Sequence, residues 1–152
     1  MPTILVKVPK GAYPIDARKK LIHHILEAAK QAEQIPSDPK KLFVSWVVIE
    51  EAEEGMWTCG GVDMSAQILT CFAMVNVPSG VLDASSRSLY VKLMQDAFEA
   101  AQPAEDKRPV FSSVILSDVV EGTWGGNGTI WSLAALAKAA GFAHLQHLVE
   151  KD

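Results

Sequence analysis

Val6-Lys7-Val8-Pro9-Lys10-Gly11 returns later in the chain as Val75-Asn76-Val77-Pro78-Ser79-Gly80, a shared V-x-V-P-x-G pattern. Further on, Glu54-Gly55-Met56-Trp57 returns as Glu121-Gly122-Thr123-Trp124, and Gly61 is matched by Gly128 at that same spacing. Two signatures in the same order and at nearly the same offset mark a tandem duplication of a unit of roughly seventy residues. The repeats are placed at about 1–66 and 67–152, forming one domain. A chain of 152 residues accommodates that arrangement around one shared core.

Each unit has the periodicity of β-α-β. Thr3 to Val8 carries Ile4, Val6 and Val8 on alternate positions, and the Pro-x-Gly that follows ends the strand in a turn. From Ile15 to about Gln34, Leu21, Ile25, Ala28, Ala29 and Ala32 fall at helical spacing; Pro14 and Asp16 suit the helix start. Leu42 to Ile49, rich in β-branched and aromatic residues, predicts a buried second strand. In the second unit the strands are predicted at Ile68–Val77 and Val110–Leu116, with a helix from an Asp83 cap through Ala101. A last helix is predicted from about Thr129 to Ala140, stopped at Gly141. One β-α-β unit buries too little to be stable alone. Two side by side predict an α+β fold, a four-stranded mixed sheet with two helices on one face. Apolar residues on both faces of the strands then call for cover from other subunits.

Composition narrows the classes. The formal net charge of −4 comes with no long basic run, so no nucleic-acid footprint is present. The longest apolar stretch, Ile68 to Val77, is too short to span a bilayer. Cys59 and Cys71 are too few for a disulfide framework, and no charged region followed by an apolar one marks a secretory leader. A soluble cytoplasmic protein is expected, with no membrane or nucleic-acid partner.

Met1-Pro2 joined directly to a strand, within a duplicated β-α-β chain with glycine-containing hairpins, resembles the tautomerase superfamily, whose members include 4-oxalocrotonate tautomerase and macrophage migration inhibitory factor. The resemblance covers nearly the whole chain. It implies a cofactor-free enzyme, a homotrimer of six helices around three sheets, and a catalytic N-terminal amine. Initiator methionine is normally removed ahead of proline, which would leave Pro2 a secondary amine. An α-amino group titrates near ~8, and an apolar pocket lowers that value, so Pro2 would act as a general base in keto–enol proton transfer. The alternative is that Pro2 only begins an edge strand, where its missing N–H costs nothing.

The resemblance also shows a departure. Where the arginines that hold a dicarboxylate are expected, this chain has Ala12, Trp46 and, in the repeat, Ser113. Arg18 and Arg87 read as solvated helix residues, and the acids of Glu51–Glu54 as a solvated loop. A small carbonyl compound or arylpyruvate-like substrate is therefore expected in place of a dianion. Trp57 and Trp124 fall where the resemblance implies an aromatic wall near the proline, or else they cement a subunit interface. Ser113 and Asn127 are candidate contacts to an enol oxygen, Asn127 being also a turn residue in Gly125-Gly126-Asn127-Gly128. Lys7 is a candidate carboxylate partner or a solvated lysine. Candidate substrate-binding residues are thus Lys7, Trp46, Trp57, Ser113, Trp124 and Asn127, with no metal ligands and no cofactor. The rival readings are a Pro2-dependent hydratase, dehalogenase or decarboxylase, and a non-catalytic binding protein on the same scaffold.

Overall fold

The computed structural model describes residues 2–149. Strand β1 (Thr3–Pro9) leads through a turn into helix α1 (Ile15–Glu33), a short helix α2 (Pro39–Leu42) and strand β2 (Trp46–Ala52). Strand β3 (Leu69–Pro78), helix α3 (Ala84–Ala101) and strand β4 (Val110–Val119) repeat the plan. A small hairpin, β5 (Gly125–Gly126) and β6 (Thr129–Ile130), precedes helix α4 (Leu133–Ala140), a 3-10 turn at Ala143–Leu145 and helix α5 (Gln146–Val149).

The main sheet has the order β2-β1-β3-β4, parallel within each repeat and antiparallel where β1 meets β3. This is the mixed four-stranded sheet expected from the duplication. Its antiparallel junction makes the two repeats related by an approximate twofold axis through the sheet. Ile4, Val6 and Val8 of β1 and Cys71, Ala73, Val75 and Val77 of β3 are fully buried under α1 and α3. Leu21, Ile25, Ala28 and Ala29 of α1 and Tyr90, Met94, Ala97 and Phe98 of α3 supply the other half of the core. On the opposite face Trp46, Val48, Phe111 and Ile115 stay exposed, Trp46 by 62% and Phe111 by 68%. An apolar sheet face of this size is uncommon on a free monomer.

Local chemistry sets the element ends. The Asp83 side chain accepts from the Ser86 amide while Ser86 Oγ accepts from the Asp83 amide, a reciprocal cap that starts α3 where expected. Three expectations shift. The second strand begins at Trp46, not Leu42, because Asp38 caps a helical turn with Pro39 in its first position. The last helix begins at Leu133, not Thr129: Asn127 and Gly128 both take positive φ, the geometry of a two-residue β-turn, and commit Thr129 and Ile130 to a hairpin. Glu50 and Glu51 lie on β2, not in a loop; Glu51 accepts from the Gly11 amide and from Arg18.

Gly141 ends α4 with φ 72, and a Cβ there would come within 3.1 Å of Pro36 Cγ and 3.2 Å of Lys41 Cδ. Left-handed backbone costs an L-residue roughly 1–2 kcal/mol before any contact is counted. The Gly141→Ala variant is expected to lose at least that much, read as a lowered urea midpoint with unchanged slope. A midpoint equal to that of the parent protein would refute the tight docking of α4 on the α1–α2 connection.

Candidate active site at the start of the first strand

Pro2 is buried and its carbonyl accepts the Trp46 amide at 2.9 Å, so the parallel β1–β2 ladder pins it at one end of the sheet. One residue on, Thr3 lies between Trp46 and Asn76 in the register, and Asn76 Nδ2 donates to the Thr3 carbonyl at 3.2 Å. Beside this strand end opens a cavity of about 580 Å³. Thr3 and Asn76 form part of its wall. Phe43, Val44 and Trp46 close one side, and Val119, Thr123, Trp124, the Gly125–Asn127 turn and Trp131 close the other. The hairpin fixes the last of these: the Trp131 amide donates to the Trp124 carbonyl at 2.9 Å, and Trp131 Nε1 donates to the Gly126 carbonyl at 3.1 Å. Among the described residues no lysine, arginine, aspartate or glutamate lines this space.

The candidate residues divide. Trp46, Trp124 and Asn127 meet at this cavity, whose wall also includes Thr3, the residue after Pro2. Trp57 does not. It lines a second cavity of about 640 Å³ at the other end of the sheet, with Lys10, Glu53, Asp63 and Arg108. Ser113 pairs with Phe72 on β4, and Lys7 pairs with Glu50 at 3.2 Å; both project from the exposed sheet face and neither lines either cavity. Arg18 and Arg87 are half-exposed but not free, binding Glu51 at 3.4 Å and Asp118 at 2.7 Å in matching places of the two repeats.

In the V-x-V-P-x-G alignment the second repeat puts Cys71 where the first has Pro2. Burial pushes the Cys71 thiol up to about 12, and its sulfur lies 3.5 Å from Tyr13 Oη. At neutral pH this thiol is neither a base nor a nucleophile. The two ends of the sheet have diverged, one toward aromatic rings and one toward charge.

The sequence reading missed Thr3, Asn76, Phe43 and Trp131 at the cavity, and a buried pair behind it. Glu33 is fully buried at the end of α1 and accepts from Tyr90 Oη of α3 at 2.8 Å. Since α1 returns antiparallel to β1, Glu33 lies at the same end of the sheet as Pro2. The only sequence signal for it is its place four residues after Ala29, on the helix's apolar stripe. Burial raises the Glu33 carboxyl from 4.5 to about 7, against the pull of the Tyr90 hydrogen bond. A carboxyl raised in the folded state favours folding fully below its unfolded value, and that contribution is lost as pH climbs through the folded one. Between pH 4.5 and pH 7 and above, Glu33 should cost about 3 kcal/mol of stability. Glu33→Gln should flatten this decline in urea titrations at stepped pH; an equal slope in both proteins would exclude Glu33 as its source.

No known family profile matches the sequence, and no curated protein matches it. Solved structures do match in fold. A fused 4-OT wild-type asymmetric trimer superposes with a TM-score of 0.66 at 16% identity, covering 84% of this chain and 94% of that one. Pt0534 inactivated by 2-oxo-3-pentynoate gives 0.68 at 17%, covering 88% and 98%. Macrophage migration inhibitory factor of Toxoplasma gondii gives 0.61 at 14%, covering 85% and 99%. The chain therefore has the tautomerase-superfamily fold. Within it, the length and the two-repeat plan are similar to those of the fused 4-OT proteins. Among the described residues no helix is long and apolar enough to cross a membrane.

Proposed function

We propose that this protein is a cofactor-free tautomerase in which Pro2, freed by removal of Met1, is the general base. The observation that carries the reading is that Pro2 is pinned at the head of β1, one residue before Thr3 in the wall of an apolar cavity holding three tryptophans, on a fold shared with the fused 4-OT structures. A secondary amine in such surroundings is disfavoured as a cation, which brings its titration toward neutrality. Its lone pair takes the proton from the carbon next to a carbonyl; the C–H electrons form the C=C bond, the C=O π electrons move to oxygen, and the Pro2 ammonium gives its proton to that oxygen, which yields the enol and restores the free amine. Ketonisation is the same path in reverse. Asn127 and the free N–H of Asn76 supply polar contacts for that oxygen.

The exposed apolar sheet face supports a homotrimer, with Lys7 and Ser113 on the face that neighbouring copies would cover. The two unpaired cysteines suit a cytoplasmic setting. A second reading, a binding protein without turnover, is favoured by one observation: the cavity offers no charged anchor for a substrate. Intact mass of the untagged protein, with ketonisation of phenylpyruvate and of its methyl ester measured on it and on Pro2→Ala, separates the two. Loss of Met1 with proline-dependent activity supports the tautomerase; a retained Met1, or a rate indifferent to Pro2, overturns it.

A further inference from the structure

We infer that the Trp46–Trp124–Trp131 cavity takes a neutral, planar aromatic carbonyl compound and rejects the corresponding carboxylate. The turnover of such a compound rests on the proposal above; its binding does not. Three observations lead here. First, among the described residues the lining has no cationic side chain, and all three arginines of the chain are spent elsewhere. Arg18 binds Glu51, Arg87 holds both oxygens of Asp118 at 2.9 and 2.7 Å, and Arg108 holds Asp106 and the Ser65 carbonyl. A carboxylate entering would shed its hydration and gain no ion partner, on a chain whose net charge is already −4.

Second, the polar groups that face the cavity suit a carbonyl. Asn76 spends one amide N–H on the Thr3 carbonyl and keeps the other. Trp131 has its indole N–H engaged by Gly126, so it presents ring carbon to an occupant rather than a donor. Aromatic rings beside a few neutral amides bind flat apolar bodies through stacking and orient one oxygen. Third, the duplication supplies an internal comparison. The cavity at the opposite end of the sheet, built from the matching segment of the other repeat, carries Lys10, Glu53, Asp63 and Arg108. Charge is therefore compatible with this scaffold, and its absence beside Pro2 is a property of that one site.

The test is a fluorescence titration of the full chain carrying Trp57→Phe, which silences the tryptophan of the distant cavity. The probes are methyl phenylpyruvate, which is neutral, and phenylpyruvate, which is an anion at pH 7.5. The ester is expected to quench saturably, at least about tenfold tighter than the acid, with no dependence on salt. Trp46→Ala should weaken the ester about tenfold; Trp46 is 62% exposed on the single chain, so the chain's fold should survive, and circular dichroism with size-exclusion chromatography checks that fold and assembly are both kept. Equal or tighter, salt-sensitive binding of the acid would overturn the inference, as would absence of quenching by both. Ester binding without Pro2-dependent turnover would sink the tautomerase and leave the inference standing. Pro2-dependent turnover that prefers the acid would do the reverse.

Discussion

Pro2→Ala is expected to slow enol–keto conversion by about 10²–10⁴-fold, the usual worth of a positioned general base. The lower end applies if the new terminal alanine offers its own primary amine as a poorer, freely rotating base. A chain extended by one residue ahead of Pro2 closes that route, because the proline nitrogen then becomes an amide with no basic lone pair. Its rate should fall to the solvent level even though Pro2 is present. Both variants should fold, since the one hydrogen bond that Pro2 makes in the sheet runs through its carbonyl to the Trp46 amide, which neither change removes. Steady-state rates on phenylpyruvate and on its methyl ester, with intact mass to establish the N-terminus of each protein, give the readout. An extended chain as fast as the parent would exclude amine catalysis whatever the alanine variant does.

The largest expected loss of stability belongs to Phe98. Its side chain is fully buried where α3 meets the sheet, and its carbonyl accepts Tyr13 Oη at 2.9 Å. Phe98→Ala leaves that backbone acceptor in place but removes a ring from a packed core, a change that costs roughly 3–5 kcal/mol. In a domain of this size that corresponds to a fall in Tm of roughly 6–20 °C. It is measured at fixed protein concentration, so that any self-association contributes equally to both proteins. A fall of under about 2 °C would mean that the α1–α3 layer is not packed as described.

Much of this architecture is legible from short-range chemistry. Alternation in Ile4, Val6 and Val8, helical spacing in Leu21, Ile25, Ala28 and Ala29, the Asp83 cap and the Asn127-Gly128 turn each act within a few residues, so each leaves a local mark. The duplication extended those marks to a sheet of four strands. Leu42 to Ser45 misled because apolar residues suit a strand and a helical turn alike, and the decision fell to Asp38-Pro39 upstream.

The site is another matter. Trp57 and Trp124 hold equivalent places in the repeats, and the resemblance implied an aromatic wall near the proline, or a subunit interface, for both. The antiparallel junction of β1 and β3 turns the repeats end for end, so equivalent residues go to opposite ends of the sheet within one chain. Trp131 joins Trp46 because a hairpin carries it back over the start of β1, and Glu33 meets Tyr90 because α1 and α3 lie side by side. None of these meetings has a sequence period. The residues alone determined the repeat, the type and order of the four main strands and two long helices, and the place of Pro2 at the head of the first strand. Which rings stand beside that proline was decided by the tertiary structure, because contacts between distant segments follow from how the layers pack rather than from any spacing along the chain.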